Sequence, residues 1–207
     1  MTKPDYKKAT FLLSAARLAQ LPPDEGIEVA FVGRSNAGKS SVLNQLTNNK
    51  KLARVSKTPG RTQQINIFVL DAIRRLVDLP GYGYAEVPHE VKIKWQKTLD
   101  AYLQTRDCLQ GLILVMDIRH PFMEFDRHLL TWAEACELPV HILLNKSDKL
   151  AFNAIKKTLQ VVAEYTASLS NPVSYQVFSA LKSTGIQELR ELMDQWYDKP
   201  PTVLDAS

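Results

Sequence analysis

Cysteine is scarce in this chain. The two residues, Cys108 and Cys136, each sit in an apolar stretch with no Cys or His at ligand spacing. That argues against a zinc module or a disulfide framework and for reduced, buried thiols. The four histidines, His89, His120, His128 and His141, are scattered and suggest no metal site. No run is long and apolar enough to span a bilayer, and the N-terminal residues through Tyr6 contain no apolar signal core. The expected location is therefore the cytoplasm, with no membrane partner. Internal repeats and low-complexity tracts are missing too. Neither charge sign dominates: the net charge is +4 and the pI about 9.0, a mild basicity compatible with nucleic acid. What is present is ordinary globular composition, 45% hydrophobic and 23% charged, over 207 residues. That length suits one α/β domain with a short extension.

The most informative stretch is Gly33-Arg34-Ser35-Asn36-Ala37-Gly38-Lys39-Ser40. It follows an apolar run, Ile27–Val32, and precedes Ser41–Leu46, so it reads as strand, loop and helix. Gly33 and Gly38 allow positive φ and close approach of backbone to a ligand. The loop amides and the helix N-terminus together form an anion cradle. Lys39 supplies a cation for β- and γ-phosphates, and Ser40 a hydroxyl for magnesium. The chain is thus expected to bind a nucleoside triphosphate.

Residues 1–26 are expected to form an extension packed on the domain, with Phe11-Leu12-Leu13 either a short strand or one turn of helix. The polar, basic stretch from Asn48 to Gln63 reads as a loop. Its place after the phosphate-binding helix suits a switch segment whose Thr reaches magnesium and the γ-phosphate. Thr62 is the first candidate and Thr58 the second. Ile65–Leu70 and Arg75–Leu79 read as an antiparallel hairpin. It ends in Asp78-Leu79-Pro80-Gly81, where Asp78 would hold magnesium through water and the Gly81 amide would meet the γ-phosphate. Gly81-Tyr82-Gly83-Tyr84 then reads as a flexible loop carrying two exposed rings. In the following helix Val91, Trp95, Leu99 and Leu103 share one face, and Lys92, Lys94 and Lys97 fall mainly elsewhere.

Gln110–Asp117 is a continuous apolar run, as in a central parallel strand. Asp117-Ile118-Arg119-His120-Pro121 is either a local salt-bridged turn or a loop that contacts a partner. Pro139–Leu144 is the next strand and runs into Asn145-Lys146-Ser147-Asp148. The Asp148 carboxylate could accept from both N1–H and the 2-amino group of guanine, whereas adenine offers neither donor there. Asn145 would brace the loop and the guanine edge, and the stem of Lys146 would lie over the ring. A last strand, Tyr175–Phe178, leads to Ser179-Ala180-Leu181, where the Ala180 amide could donate to guanine O6. The domain is expected to span 27–198, with a frayed tail at 199–207.

These segments occur in the order and at the strand ends of a GTPase domain. From about Phe11 to Trp196 the chain resembles the bacterial EngB (YihA/YsxC) GTP-binding proteins. The phosphate loop, Lys57-Thr58-Pro59-Gly60-Arg61-Thr62-Gln63, Asp78–Tyr84 and Asp117–Pro121 carry the resemblance. It implies a P-loop GTPase fold: a mostly parallel six-stranded sheet with one antiparallel strand and helices on both faces. It also implies GTP or GDP with Mg2+, and a role in maturing the large ribosomal subunit. The implied nucleotide contacts extend to Gly60, Arg61, Gln63 and Gln64 in the first switch and to Phe178, Ser179 and Ala180 beside the base. One departure is Asn145, where many members have Thr; both hydrogen-bond.

Tyr82 stands where many small GTPases have a water-orienting Gln. The expectation is slow intrinsic hydrolysis, completed by a partner or an ion, with Lys39, Thr62, Gly81 and Asn36 as the catalytic set. By resemblance Asn36 would help hold K+ against the phosphates; alternatively it only tightens the loop. Lys50, Lys51, Arg54, Lys57 and Arg61, with Lys92, Lys94 and Lys97, could form one basic face for ribosomal RNA. Tyr82 or Tyr84 could stack on a base or a protein partner. The leading expectation is a monomeric GTPase acting on the large ribosomal subunit or its precursor. The alternative is a GTP-dependent switch that recruits a non-ribosomal protein. Asn145–Asp148 speaks against an ATP-using kinase or ATPase.

Overall fold

The computed structural model describes residues 2–53, 64–82 and 89–202, and for 89–95 the backbone path. The described residues form seven strands and five helices: β1 (Thr10–Ala15), β2 (Ile27–Gly33), α1 (Lys39–Thr47), β3 (Ile65–Val69), β4 (Arg74–Asp78), α2 (His89–Thr105), β5 (Leu109–Asp117), α3 (Glu124–Ala135), β6 (Val140–Asn145), α4 (Phe152–Ala167), β7 (Val173–Val177) and α5 (Ile186–Tyr197). A 3-10 turn, Tyr6–Lys8, precedes β1.

The strands form one sheet in the order β1-β3-β4-β2-β5-β6-β7. β3 alone runs against the rest, antiparallel to both β1 and β4. The other neighbouring pairs are parallel. Six strands are expected from the sequence and seven are present. The extra one is β1, which contains Phe11–Leu13 and pairs with β3 from Thr10↔Val69 to Ala15↔Ile65, slipping once between Phe11 and Leu13. A hairpin edge at β3 would otherwise leave its outward amides and carbonyls open, and β1 covers them.

Alternation along each strand divides the core into two layers. Ala30 and Val32 of β2 and Leu112, Leu114 and Met116 of β5 face Leu99, Tyr102, Leu129, Leu130 and Val162 from α2, α3 and α4. Ile27, Val29, Phe31, Ile113 and Val115 face Val42, Leu43, Leu46, Leu189, Met193 and Trp196 from α1 and α5. Helices on both faces explain why β2 and β5 are apolar almost throughout.

At the opposite end of β2 from Gly33, Glu28 is fully buried. It accepts hydrogen bonds from Tyr102 at 2.8 Å and from Arg106 at 2.7 and 3.0 Å, and pairs with Arg75 at 3.1 Å. A buried carboxylate needs such partners; these tie the end of α2 to the sheet. The C-terminal segment, expected to fray from Lys199, is held as far as Thr202. Its main chain exchanges hydrogen bonds of 2.7 and 3.0 Å with Gly26. Pro200 and Pro201 end the helix but do not prevent this pairing. Residues 203–207 lie outside the described residues.

Candidate nucleotide site

The phosphate loop leaves β2 between two close approaches. A Cβ on Gly33 would lie 2.4 Å from the Val115 carbonyl oxygen. Gly38 has φ +98°, and a Cβ there would lie 2.4 Å from Asn145 Nδ2. Asn36 is also left-handed, at φ 65°. A turn bond from the Ala37 amide to the Arg34 carbonyl (2.9 Å) closes the loop. Asn36 is exposed, and among the described residues its side chain makes no hydrogen bond.

Asn145, at the end of β6, joins this loop to the next. Its Nδ2 donates to the Ala37 carbonyl at 2.8 Å, and its Oδ1 accepts from the Ala180 amide at 3.2 Å. Lys146, left-handed at φ 66°, donates to the Asn36 carbonyl and pairs with Asp117 at 3.0 Å. The Ser147 amide bonds to the Phe178 carbonyl at 3.1 Å, which sets the 145–148 turn against the 178–181 segment. Asp148 accepts from Ser179 Oγ at 2.6 Å and lies 3.4 Å from Lys149 Nζ. The Ser179 hydroxyl, aided by Lys149, holds its carboxyl below the usual range. At neutral pH Asp148 is thus an ionised acceptor at the mouth of the pair of loops.

Asp117 opens the loop read two ways from the sequence. Arg119 grips its carboxylate with both arms at 2.6 and 2.9 Å, so this is a salt-bridged turn. Burial alone would raise the Asp117 pKa, but Arg119 and Lys146 outweigh it and hold the group well below the usual carboxylate range.

On the phosphate side, Lys39 Nζ and Asp78 Oδ1 bond to each other. Asn66 Nδ2 donates to the other Asp78 oxygen at 3.3 Å. The lysine and carboxylate that the sequence assigns to phosphate and metal are therefore neighbours, at the start of α1 and the end of β4. Ser40 is half-buried in the first turn of α1 beside them.

Tyr82 differs from its sequence reading. It is 3% exposed, not a solvent-facing ring. Its carbonyl accepts from the Ser35 amide at 2.7 Å, so it continues a ladder beside the phosphate loop. Its ring lies 4.2 Å from that of Phe125, and its hydroxyl donates to Asp126. Asp126 also caps α3, accepting from the Met123 amide at 2.9 Å. The chain bends into the sheet at Tyr82 because α3 offers an aromatic wall and a buried acceptor.

Residues 28–146 match the family described as 50S ribosome-binding GTPase. The probable GTP-binding protein EngB of Enterobacter sp. (strain 638) is 56% identical over 206 residues, covering 100% of this chain and 99% of its own. The chain belongs to the EngB family of GTP-binding proteins. The crystal structure of a probable GTP-binding protein EngB has a TM-score of 0.68 at 21% identity, covering 82% of this chain and 98% of that one. Era, crystallised in complex with MgGDPNP and nucleotides 1506–1542 of 16S ribosomal RNA, gives 0.66 at 19% identity, covering 87% and 59%. Both share the P-loop GTPase fold.

In this EngB-family chain the structure brings Gly33–Ser40, Asp78–Gly81, Asn145–Asp148 and Phe178–Ala180 to one end of the sheet. Gln64 immediately precedes β3, two residues before Asn66. Thr58, Gly60, Arg61, Thr62 and Gln63, with Arg54, Lys57, Gly83 and Tyr84, lie outside the described residues, as do the side chains of Val91, Lys92, Lys94 and Trp95. The sequence places Phe125 on the core face of its helix, with Leu129, Trp132 and Cys136, but it gives no sign that Phe125 and Asp126 are the partners of Tyr82. The available signal was an acidic residue in the first turn of an amphipathic helix, which marks a cap but names no distant partner.

Proposed function

We propose that this chain is a slow GTPase that uses its nucleotide state to bind, and then leave, the large ribosomal subunit or its precursor during assembly. The observation that carries the reading is the side chain of Asn145, which holds the phosphate loop and the 178–181 segment together. An ionised Asp148 at that junction would accept from N1–H and the 2-amino group of guanine. Guanine O6 would compete with Asn145 Oδ1 for the Ala180 amide.

On the phosphate side Lys39 would turn from Asp78 to the β- and γ-phosphates, while the loop amides and the N-terminus of α1 receive the oxygens. Magnesium fits the donors present: Ser40 and Asp78 offer two oxygens, and this ion commonly takes only one or two protein ligands beside phosphate. When bound it neutralises charge on the phosphate oxygens. Thr62 would add a second direct contact from the first switch. The Gly81 amide would meet the γ-phosphate and lose that partner on hydrolysis.

Slow turnover follows from Tyr82. Its phenol is engaged by Asp126 in the core, so the residue after Gly81 has no free group to orient water. A ribosomal component or K+ at Asn36 would complete the site. A side chain that makes no bond to its own loop favours the potassium role over simple loop tightening. Equal turnover in K+ and Na+, or an Asn36→Ala protein that hydrolyses normally in K+, would count against it.

The ribosomal partner is supported by the family description and by the RNA-bound state of Era, a protein of the same fold. Basic residues of the first switch and of α2 would touch RNA in the GTP-bound state. The test is co-sedimentation with separated ribosomal subunits in a non-hydrolysable GTP analogue, in GDP and without nucleotide. Pelleting with the large subunit only in the GTP-like state supports the reading. No nucleotide-dependent pelleting on mature or precursor particles overturns it and leaves recruitment of another protein as the role of the switch.

A further inference from the structure

The charges of this chain are segregated along the sequence and in the fold. No Asp or Glu occurs between Tyr6 and Pro23 or between Val29 and Leu70, whereas those stretches carry Lys7, Lys8, Arg17, Arg34, Lys39, Lys50, Lys51, Arg54, Lys57 and Arg61. The fold joins the described parts of these stretches around α1. The Tyr6–Lys8 turn packs on α1. Tyr6 and Ala9 share a core cluster with Leu46 and Ala53. This sets the lysines of the N-terminal turn beside those that follow α1.

Lys7, Lys8, Lys50 and Lys51 are all exposed, and among the described residues none pairs with a carboxylate. The acids nearby are already engaged. Asp5 accepts from the Lys7 amide, and Asp194 holds Tyr6 and Lys3. Glu191 accepts from Gln187. Next to the lysines, Phe11 is 56% exposed. It stands opposite Phe68 in the β1–β3 ladder, so its ring is on the α1 side of the sheet. Exposed ammonium groups and an open aromatic ring on the same side of the sheet have the chemistry that grips RNA: phosphate contacts with a stacking platform.

We propose that the N-terminal turn, Phe11 and the Lys50–Lys51 corner form an anchoring surface for the RNA phosphate backbone of the large ribosomal subunit. The inference rests on the ribosomal reading above and adds a division of labour. The Tyr6–Lys8 turn packs on α1 and shares a core cluster with Leu46, and among the described residues none of its side chains makes a hydrogen bond or ion pair with the phosphate or base loops. Its contribution to RNA binding is therefore the same with GTP and GDP, whereas the switch loops supply the difference between the two states.

The experiment uses the full chain in three forms: wild type, Lys7→Glu/Lys8→Glu, and Lys156→Glu/Lys157→Glu as a charge-matched control on α4, on the other face of the sheet. Each is titrated with intact large subunits and with protein-free RNA extracted from them, over a salt series, in a GTP analogue and in GDP. A fluorescent-GDP titration and a melting curve verify the fold of each variant. Lys7→Glu/Lys8→Glu should make the log affinity–log salt slope shallower by about 1.4–1.8, and weaken binding by about tenfold or more at 0.1 M salt. The factor should be equal in both nucleotide states and on both probes, with the control unchanged. Phe11→Ala should weaken binding without altering the slope.

If wild type binds neither probe, the ribosomal reading falls and this inference with it. If wild type binds and Lys7→Glu/Lys8→Glu matches the α4 control, the anchor is wrong and the ribosomal reading stands. A loss seen on intact subunits but not on protein-free RNA also overturns it, by making the contact a ribosomal protein.

Discussion

Replacing Tyr82 with Phe removes one oxygen and leaves the ring. The ring keeps its place 4.2 Å from Phe125, and the main chain keeps its bonds to Gly33 and Ser35. What is lost is the donor to Asp126, a carboxylate only 2% exposed. A hydrogen bond to a charged group contributes about 1.5–3 kcal/mol, and a closed site gives water no room to replace it. In a domain of this size a deficit of about 2 kcal/mol lowers Tm by about 4–8 °C. The deficit also has a pH signature. Burial raises the Asp126 pKa, and the Tyr82 bond pulls it back down. Without that bond the folded-state pKa rises further, so the folded variant holds a proton that the unfolded chain has released. Stability then falls as pH rises through that window. The gap between wild type and Tyr82→Phe is largest at alkaline pH and closes as the pH falls and Asp126 becomes protonated in both. Turnover should stay near wild type, since losing a group that moves a proton in the reaction costs about 10²–10⁴-fold. Melting curves over a pH series and single-turnover hydrolysis give both readouts. Equal Tm values at alkaline pH, a gap that widens toward acid, or a collapse of turnover in a folded protein would refute the assignment.

Four further outcomes follow from the same geometry. Gly38→Ala places a Cβ 2.4 Å from Asn145 Nδ2 at φ +98°; nucleotide affinity should fall by about 100-fold or more, as about 3 kcal/mol of strain and lost contacts implies, and a fluorescent-GDP titration within tenfold of wild type would contradict this. Asp148→Asn should lower GTP affinity by about 10⁴-fold and favour a xanthine nucleotide, whose 2-oxo group can accept from the new amide; competition binding measures both. Glu28→Ala leaves Arg106, Arg75 and Tyr102 without their shared acceptor and should cost about 3–5 kcal/mol, read by urea denaturation. His141, buried and bonded to Ser174 and Gln176, has its pKa lowered by burial to about 4. The unfolded chain therefore binds the extra proton first, and stability is lost as pH falls from about 6.5 to 4; an NMR titration of the ring near 6.5 would show otherwise.

Much of the nucleotide end was legible because its motifs are local. Gly33 to Ser40 encodes a strand end, two left-handed turns and a helix start within eight residues, and each requirement selects a residue type. Asn145–Asp148 reads equally well, since a strand running into a polar turn needs no distant partner to be recognised. Strands β2 and β5 announce themselves as unbroken apolar runs. β1 was harder. Phe11 and Leu12 are exposed, so Thr10–Ala15 shows no clean alternation, and its conformation is set by pairing with β3 more than fifty residues away. The pairing of Thr202 with Gly26 depends likewise on where the fold brings two chain ends.

Tyr82 shows why the remainder stayed hidden, and what that means for the chemistry. A tyrosine between glycines reads as exposed because glycine permits many paths and names none. Its actual path is selected by Phe125 and Asp126, forty-odd residues later on α3. The same fact limits the reaction. A side chain held in the core cannot also turn to a water molecule at the γ-phosphate, so on the proposed reading Tyr82 would anchor the second switch rather than orient water. Lys39 and Asp78, bonded to each other beside it, would have to separate for phosphate and metal to enter. Nucleotide binding would therefore act on the end of β4 directly, three residues before Gly81, while Tyr82 stays tied to α3 through Phe125 and Asp126.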